Sequence, residues 1–197
     1  MGNQQETNPK IASLALQRLR DASEQIPAEN EREGLGGILR KVKDANEEIS
    51  KCEKSYQEQA EILNKTIAHS ISNLVDKELV EMEDVLKNPL QCNPMDDESV
   101  KGTYQRLLRM KEKLLDLYDL VSKWGWSHLR QVQRERIAEV YENVNSVAQK
   151  TGKVLEEMAV HCPDPEKNRL MQFHDLFEAV VEKGSDRIIP DEIFAGS

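Results

Sequence analysis

Few residues in this chain have the type and spacing that chemistry needs. Three cysteines (Cys52, Cys92 and Cys162) and four histidines are scattered over 197 residues. His161-Cys162 with His174 comes nearest to a metal-ligand set, but it falls short of the four ligands of a structural zinc site. The run Gly34-Leu35-Gly36-Gly37 precedes a helical pattern, and a helix N-terminus attracts phosphate. It has neither the preceding strand nor the Lys-Ser/Thr ending of a phosphate loop, so it reads as a linker. Carboxylates are abundant but fall on solvated helical faces, and no two share an apolar pocket that would set up acid–base catalysis. No Ser, Cys or Lys nucleophile stands beside a base in a known motif. The expectation is a protein with no catalytic residues, no metal and no cofactor.

What remains is chemistry of contact. Both tryptophans lie in Ser122-Lys123-Trp124-Gly125-Trp126-Ser127-His128-Leu129-Arg130. An apolar row of Leu107, Met110, Leu114, Leu117, Val121 and Trp124 approaches this stretch from one side. A second row of Ile137, Val140, Val144, Val147, Val154 and Met158 leaves it in a different phase. Rows such as Val121, Leu129 and Ile137 step by eight residues, about 80° past two helical turns. Such a swing exceeds the drift of a single heptad seam, about 20° per heptad. Two arrangements accommodate it: a break at Gly125 with Ser127 capping a new helix, or a kinked continuous helix that changes packing partners, the latter being expected. The tryptophans read first as core residues at this joint and second as partner anchors, because Trp is enriched at interface hot spots.

A second contact feature is basic. Over residues 100–136, nine basic residues (Lys101, Arg106, Arg109, Lys111, Lys113, Lys123, Arg130, Arg134 and Arg136) stand against four acidic ones. The simplest reading is complementarity with the acidic first long helix. The alternative is an acidic protein or an anionic headgroup surface. A third feature is the tail SDRIIPDEIFAGS, whose Ile188, Ile189, Ile193 and Phe194 would dock on the bundle or serve as a peptide ligand.

The elements that must carry these groups are helical. Aromatic residues make up 5% and charged residues 32% of the chain, a profile poor in the β-branched and aromatic runs that sheets favour. Asn8 as N-cap and Pro9 at the first helical position open a helix. Its apolar row is Ile11, Leu14, Ala15, Arg18, Ala22 and Ile26, widened by Leu16 and Leu19. Pro27 ends it, and PAENEREGLGG reads as a linker. One helix of about fifty residues is expected over Ile38 to Lys87, roughly 75 Å long. Its heptad seam is Ile38, Val42, Ala45, Ile49, Cys52, Tyr56, Gln59 and Leu63, drifting on to Ile67, Ile71, Leu74, Met82 and Val85. Two Asn-Pro pairs break it. A second long stretch runs from Val100, capped by Ser99 or Asp97, to His161. Asp164 caps the last helix, which carries Leu170, Phe173, His174, Phe177, Val180 and Val181 and stops at Gly184.

The expected fold is all-α: an elongated antiparallel helical bundle or coiled coil with two long helical stretches, a short C-terminal helix and a flanking N-terminal amphipathic helix. The expected parts are 1–34, an amphipathic helix with an acidic linker; 35–184, the bundle; and 185–197, the apolar tail. A net charge of −9 argues against nucleic acid as a partner. No apolar run reaches the ~20 residues of a membrane span. The start Met-Gly is followed by Glu6 where a myristoylation signal wants Ser or Thr. With no secretory signal, the three cysteines read as reduced thiols of a cytoplasmic protein.

The expected activity is protein binding as a scaffold or adaptor, with homodimerisation along the long seams. Trp124, Trp126, Ile188, Ile189, Ile193 and Phe194 are the candidate contacts. In layout, an amphipathic helix followed by long antiparallel helices with a basic middle resembles the crescent membrane-binding domains of the BAR type, although no sequence motif carries that likeness. The resemblance implies an alternative, a module peripheral to an anionic membrane. Ile11, Leu14, Arg106, Arg109, Lys113, Arg130 and Arg134 would then meet the membrane, or an acidic partner.

Overall fold

A computed structural model describes residues 9–26, 32–87, 92–123 and 131–186. All regular structure among them is helical: α1 (Pro9–Gln25), α2 (Arg32–Ile49), α3 (Lys54–Lys87), α4 (Asp97–Lys123), α5 (Gln131–Ala159) and α6 (Asp164–Glu182). None of these helices is long and apolar enough to cross a membrane. Backbone packing separates two compact units, and the division falls inside α3, between Val75 and Asp76.

In the first unit α1 packs on α2. The buried face of α1 is Ala12, Ala15, Leu16, Leu19 and Ala22, continued by Ile26. Three alanines on that face let the two backbones approach closely, and Leu35, Ile38, Leu39, Val42, Ala45 and Ile49 of α2 are buried with them. Each fully buried Leu or Ile contributes about 1.5–3 kcal/mol. The expected row is therefore rotated: Ile11 and Leu14 are exposed, and Arg18 forms a bidentate pair with Glu48 at 2.6 and 3.2 Å. The helix α2 also begins before Gly34, so the glycines expected in a linker lie within a helix. Burial of Leu35, Ile38 and Leu39 outweighs a penalty of about 1 kcal/mol per glycine.

The expected fifty-residue helix is two helices. Asn46 and Asn64 exchange side-chain amide hydrogen bonds at 2.8 and 3.0 Å. Eighteen residues of continuous helix would hold them about 27 Å apart, so the chain reverses between them. No Gly or Pro marks the turn. Ser50 Oγ instead donates to Glu47 O and Cys52 Sγ to Glu48 O, drawing carbonyls of the last turn away from the helical ladder. Gln57 Nε2 then donates to Ser50 O and Cys52 O, which closes the end of α2 from the next helix. The heptad seam accordingly fails at this point: Cys52 and Tyr56 are half-buried and Gln59 is exposed.

The second unit holds the end of α3 with α4, α5 and α6. Tyr141 meets Lys183, and Gly152 lies against Phe177, so α5 and α6 run in opposite senses. Arg169 meets Asp97 and Lys183 meets Glu112, so α4 and α6 run in the same sense. Leu107, Met110, Leu114 and Leu117 of the expected row are buried. On α5 the row holds only as far as Val144. It then passes to Ala148, Gly152, Leu155 and Ala159, leaving Val154 exposed. Close approach of α6 selects Ala148, Gly152 and Ala159 over the valines. A Cβ on Gly152 would already stand 3.5 Å from Phe177 Cβ.

Capping differs from the expectation in two places. Asp96 caps α4, its Oδ1 accepting from Glu98 N–H at 3.1 Å. Pro163 is the N-cap of α6, so Asp164 is its first helical residue and places a carboxylate at the positive end of the helix dipole. The stop at Gly184 is as expected, at φ 80°.

Candidate functional site

The basic residues of α4 and α5 fall into three groups. Lys113 and Arg136 are engaged within the second unit. Lys113 Nζ lies 2.7 Å from Glu78, and Arg136 bonds Asp76 at 3.1 Å and Glu83 at 2.9 Å. The acidic last turns of α3 are thus the internal complement that the charge pattern implied. Lys101, Arg106, Arg109 and Arg134 are exposed and have no ion-pair partner among the described residues. Arg106 and Arg109 share one flank of α4 with Lys113, at helical spacing of three and four.

Lys111 stands apart. It has 0% of its surface exposed, among Leu107, Leu114 and Leu115 of the same helix. Its ammonium donates to Asn145 Oδ1 and, at 2.9 Å, to the carbonyl of Val181 near the end of α6. It also lies 4.1 Å from the centroid of the Tyr141 ring, a cation–π contact. The Tyr141 hydroxyl donates to Lys183 O at 3.1 Å. Lys183 N–H returns to Ala179 O, and Lys183 Nζ pairs with Glu112 at 2.7 Å. Gly184 completes the node: a Cβ there would stand 2.9 Å from Leu115 Cδ1 and closer still to Cδ2.

Two helices, α4 and α5, thus converge on the last turn of α6 and satisfy carbonyls that a helix end leaves open. Burial pulls the Lys111 ammonium down to about 8, opposed in part by the charge of Glu142. Burial likewise raises the Tyr141 hydroxyl, opposed by its hydrogen bond with Asn145. Reading from charge alone counted Lys111 with the other basic residues as a complement to the acidic first long helix, or to an acidic partner. The signal against that was present, since Lys111 falls four residues after Leu107 and four before Leu115, inside the apolar stripe.

The remaining candidates divide by position. Ile11 and Leu14 are 47% and 62% exposed on the outward side of α1. Trp124, Trp126, Arg130, Ile188, Ile189, Ile193 and Phe194 lie outside the described residues, as does the question of a kink or break at Gly125. Among the described residues no three His, Cys, Asp or Glu side chains are grouped so as to hold a metal ion. His161 is exposed, and His174 Nδ1 faces Asp175 at 3.3 Å. Cys92 is half-buried, its thiol raised by burial and partly offset by a hydrogen bond with Thr103. Comparison with family models, with curated proteins and with solved structures returned no match for this chain.

Proposed function

We propose that this chain is a non-enzymatic, cytoplasmic scaffold or adaptor that binds other proteins. In this reading it is an elongated antiparallel helical bundle, and its C-terminal tail is the docking element. The observation that supports it is the way tertiary contacts end α6. Lys111, Tyr141 and Gly184 stop the helix at Glu182, immediately before a sequence carrying Ile188, Ile189, Ile193 and Phe194. A helix stopped by tertiary contacts presents the adjoining segment from a defined point, as peptide-recognition modes require. The two tryptophans are the second candidate anchor, and self-association is the third contact to be tested.

The test compares pull-downs by the intact chain, a chain ending at Gly184, and Trp126→Ala, with oligomeric state measured by analytical ultracentrifugation. Loss of captured proteins on truncation is expected. Capture that survives both changes would overturn the assignment to the tail and the tryptophans.

A second reading is favoured by one observation, the exposure of Ile11 and Leu14 side by side on α1. A peripheral membrane contact would use these residues in the first unit, and Arg106, Arg109 and Arg134 are the candidate basic residues of the second. The main apolar face of α1 is already buried on α2, which leaves little area for insertion. Sedimentation with phosphatidylserine vesicles tests this reading, which requires binding that is lost when residues 1–27 are removed.

A further inference from the structure

We infer that the last turn of α6 is a releasable lock, held by a buried cation whose own hydration favours its opening. The cation is Lys111, and its bonded partners are all neutral: Asn145 Oδ1, Val181 O and the Tyr141 ring. A buried ammonium ordinarily bonds a carboxylate. The charged groups around this one are directed elsewhere. On its own helix, Glu112 is bonded to Lys183. On α5, Glu142 acts on Lys111 through space alone. Beyond α6, Lys183 faces Glu112, and Asp186 acts on Tyr141.

Closing the lock therefore removes a full charge from water and returns two hydrogen bonds and a ring contact. Opening it rehydrates the charge. Val181 O and Lys183 O stand at a helix end, where water replaces their donors at small cost. The rest of the hold on this turn is weak. The Lys183–Glu112 pair is 39% and 48% exposed, in the range where ion pairs contribute little. Gly184 packs against Leu115 at φ 80° and has no side chain to add to the hold.

One turn earlier the helix is different. Leu170, Phe177 and Val180 are buried, and Tyr104 meets Phe177 edge-on at 6.2 Å. Opening should therefore stop at Val180 and leave the bundle intact, as a local rather than a global transition. This deepens the adaptor reading, because opening would add the last turn of α6 to the segment which that reading assigns to docking. The lock itself involves only α4, α5 and α6.

Amide hydrogen exchange on the full chain, with no partner present, tests it. Failure here is therefore distinct from failure of the adaptor reading. At pH 7 the amides of 182–185 should exchange with protection at least about tenfold lower than those of 173–178. In Lys111→Gln, which removes the charge and keeps a donor, protection at 182–185 should rise about tenfold while 173–178 stays unchanged. In the unaltered chain the ratio between the two groups should narrow from pH 7 to pH 9, which needs no variant to fold. An unchanged or lowered protection at 182–185 in Lys111→Gln overturns the lock, as does a ratio indifferent to pH.

Discussion

Toward each end of α6 a cation donates to a backbone carbonyl across its unit, Arg169 to Pro94 and Lys111 to Val181, and the two are solvated in opposite ways. At the N-terminal end Arg169 bonds Asp97 and Glu166, donates to Pro94 O at 3.2 Å and lies over the Phe173 ring. Its hydrogen bond with Glu166 is the main influence raising its pKa above the ordinary value, with Asp97 adding to it. At the C-terminal end Lys111 has no bonded carboxylate, and burial pulls it down to about 8. A guanidinium with two carboxylates keeps its charge readily. An ammonium among carbonyls and an aromatic ring keeps it at a cost. Arg169 is itself bonded to two carboxylates, whereas the ion pair at the other end, Lys183–Glu112, leaves Lys111 with neutral partners. The N-terminal end is the anchor of α6 and the C-terminal end its weak point.

The largest effect expected from breaking this comparison is at Gly184. Gly184→Ala forces a side chain into positive φ and against Leu115, and should shift the last turn of α6 toward its open form by about 2 kcal/mol. Amide exchange measures it, with protection lost at 182–185 and kept at 173–178, and no change would remove Gly184 from the node. Next comes the anchor. Arg169→Met leaves Asp97 and Glu166 without their cation, and a loss of about 1 kcal/mol in unfolding stability, measured by urea denaturation, is expected at a site with side-chain exposure of 24%. That loss should shrink in 1 M salt, where the Debye length falls to about 3 Å.

The smallest effect carries the sharpest sign. Lys111 binds its proton less tightly folded than unfolded, so the unfolded chain holds more protons between about 8 and 10.5. Stability should therefore rise with pH from about 8 toward 10, by on the order of 1 kcal/mol. Tyr141, whose pKa is raised, contributes the opposite slope above its ordinary value of 10. The comparison between the intact chain and Lys111→Gln isolates the rise, which the variant should lack. A parallel rise in both would assign it to other groups.

Much of the architecture was legible from periodicity. The apolar rows of α4 and α6, the start of α1 at Pro9 and the stop at Gly184 follow from spacing of 3.6 and from capping chemistry. The turn at residues 50–53 was not legible, because it contains no Gly or Pro and is made by side chains of Ser50, Cys52 and Gln57 bonding to carbonyls. The path of the α5 core through Ala148 and Gly152 was missed for a related reason. Hydrophobicity ranks Val147 and Val154 above them, whereas close helix packing rewards the absence of a side chain.

The sequence by itself determined that the described residues are helical, that α6 stops at Gly184, and that charge on α4 and α5 has an acidic counterpart in α3. Those properties are local or additive, so composition and spacing carry them. Only the tertiary structure decided that the chain reverses after Ile49, that α1 buries its apolar face on α2, and that Lys111 is buried rather than solvated. Each of these depends on which surfaces meet. Nothing in the spacing says whether a lysine in an apolar stripe is buried until the end of α6 arrives to accept its hydrogen bond, and that meeting is a property of the packed chain.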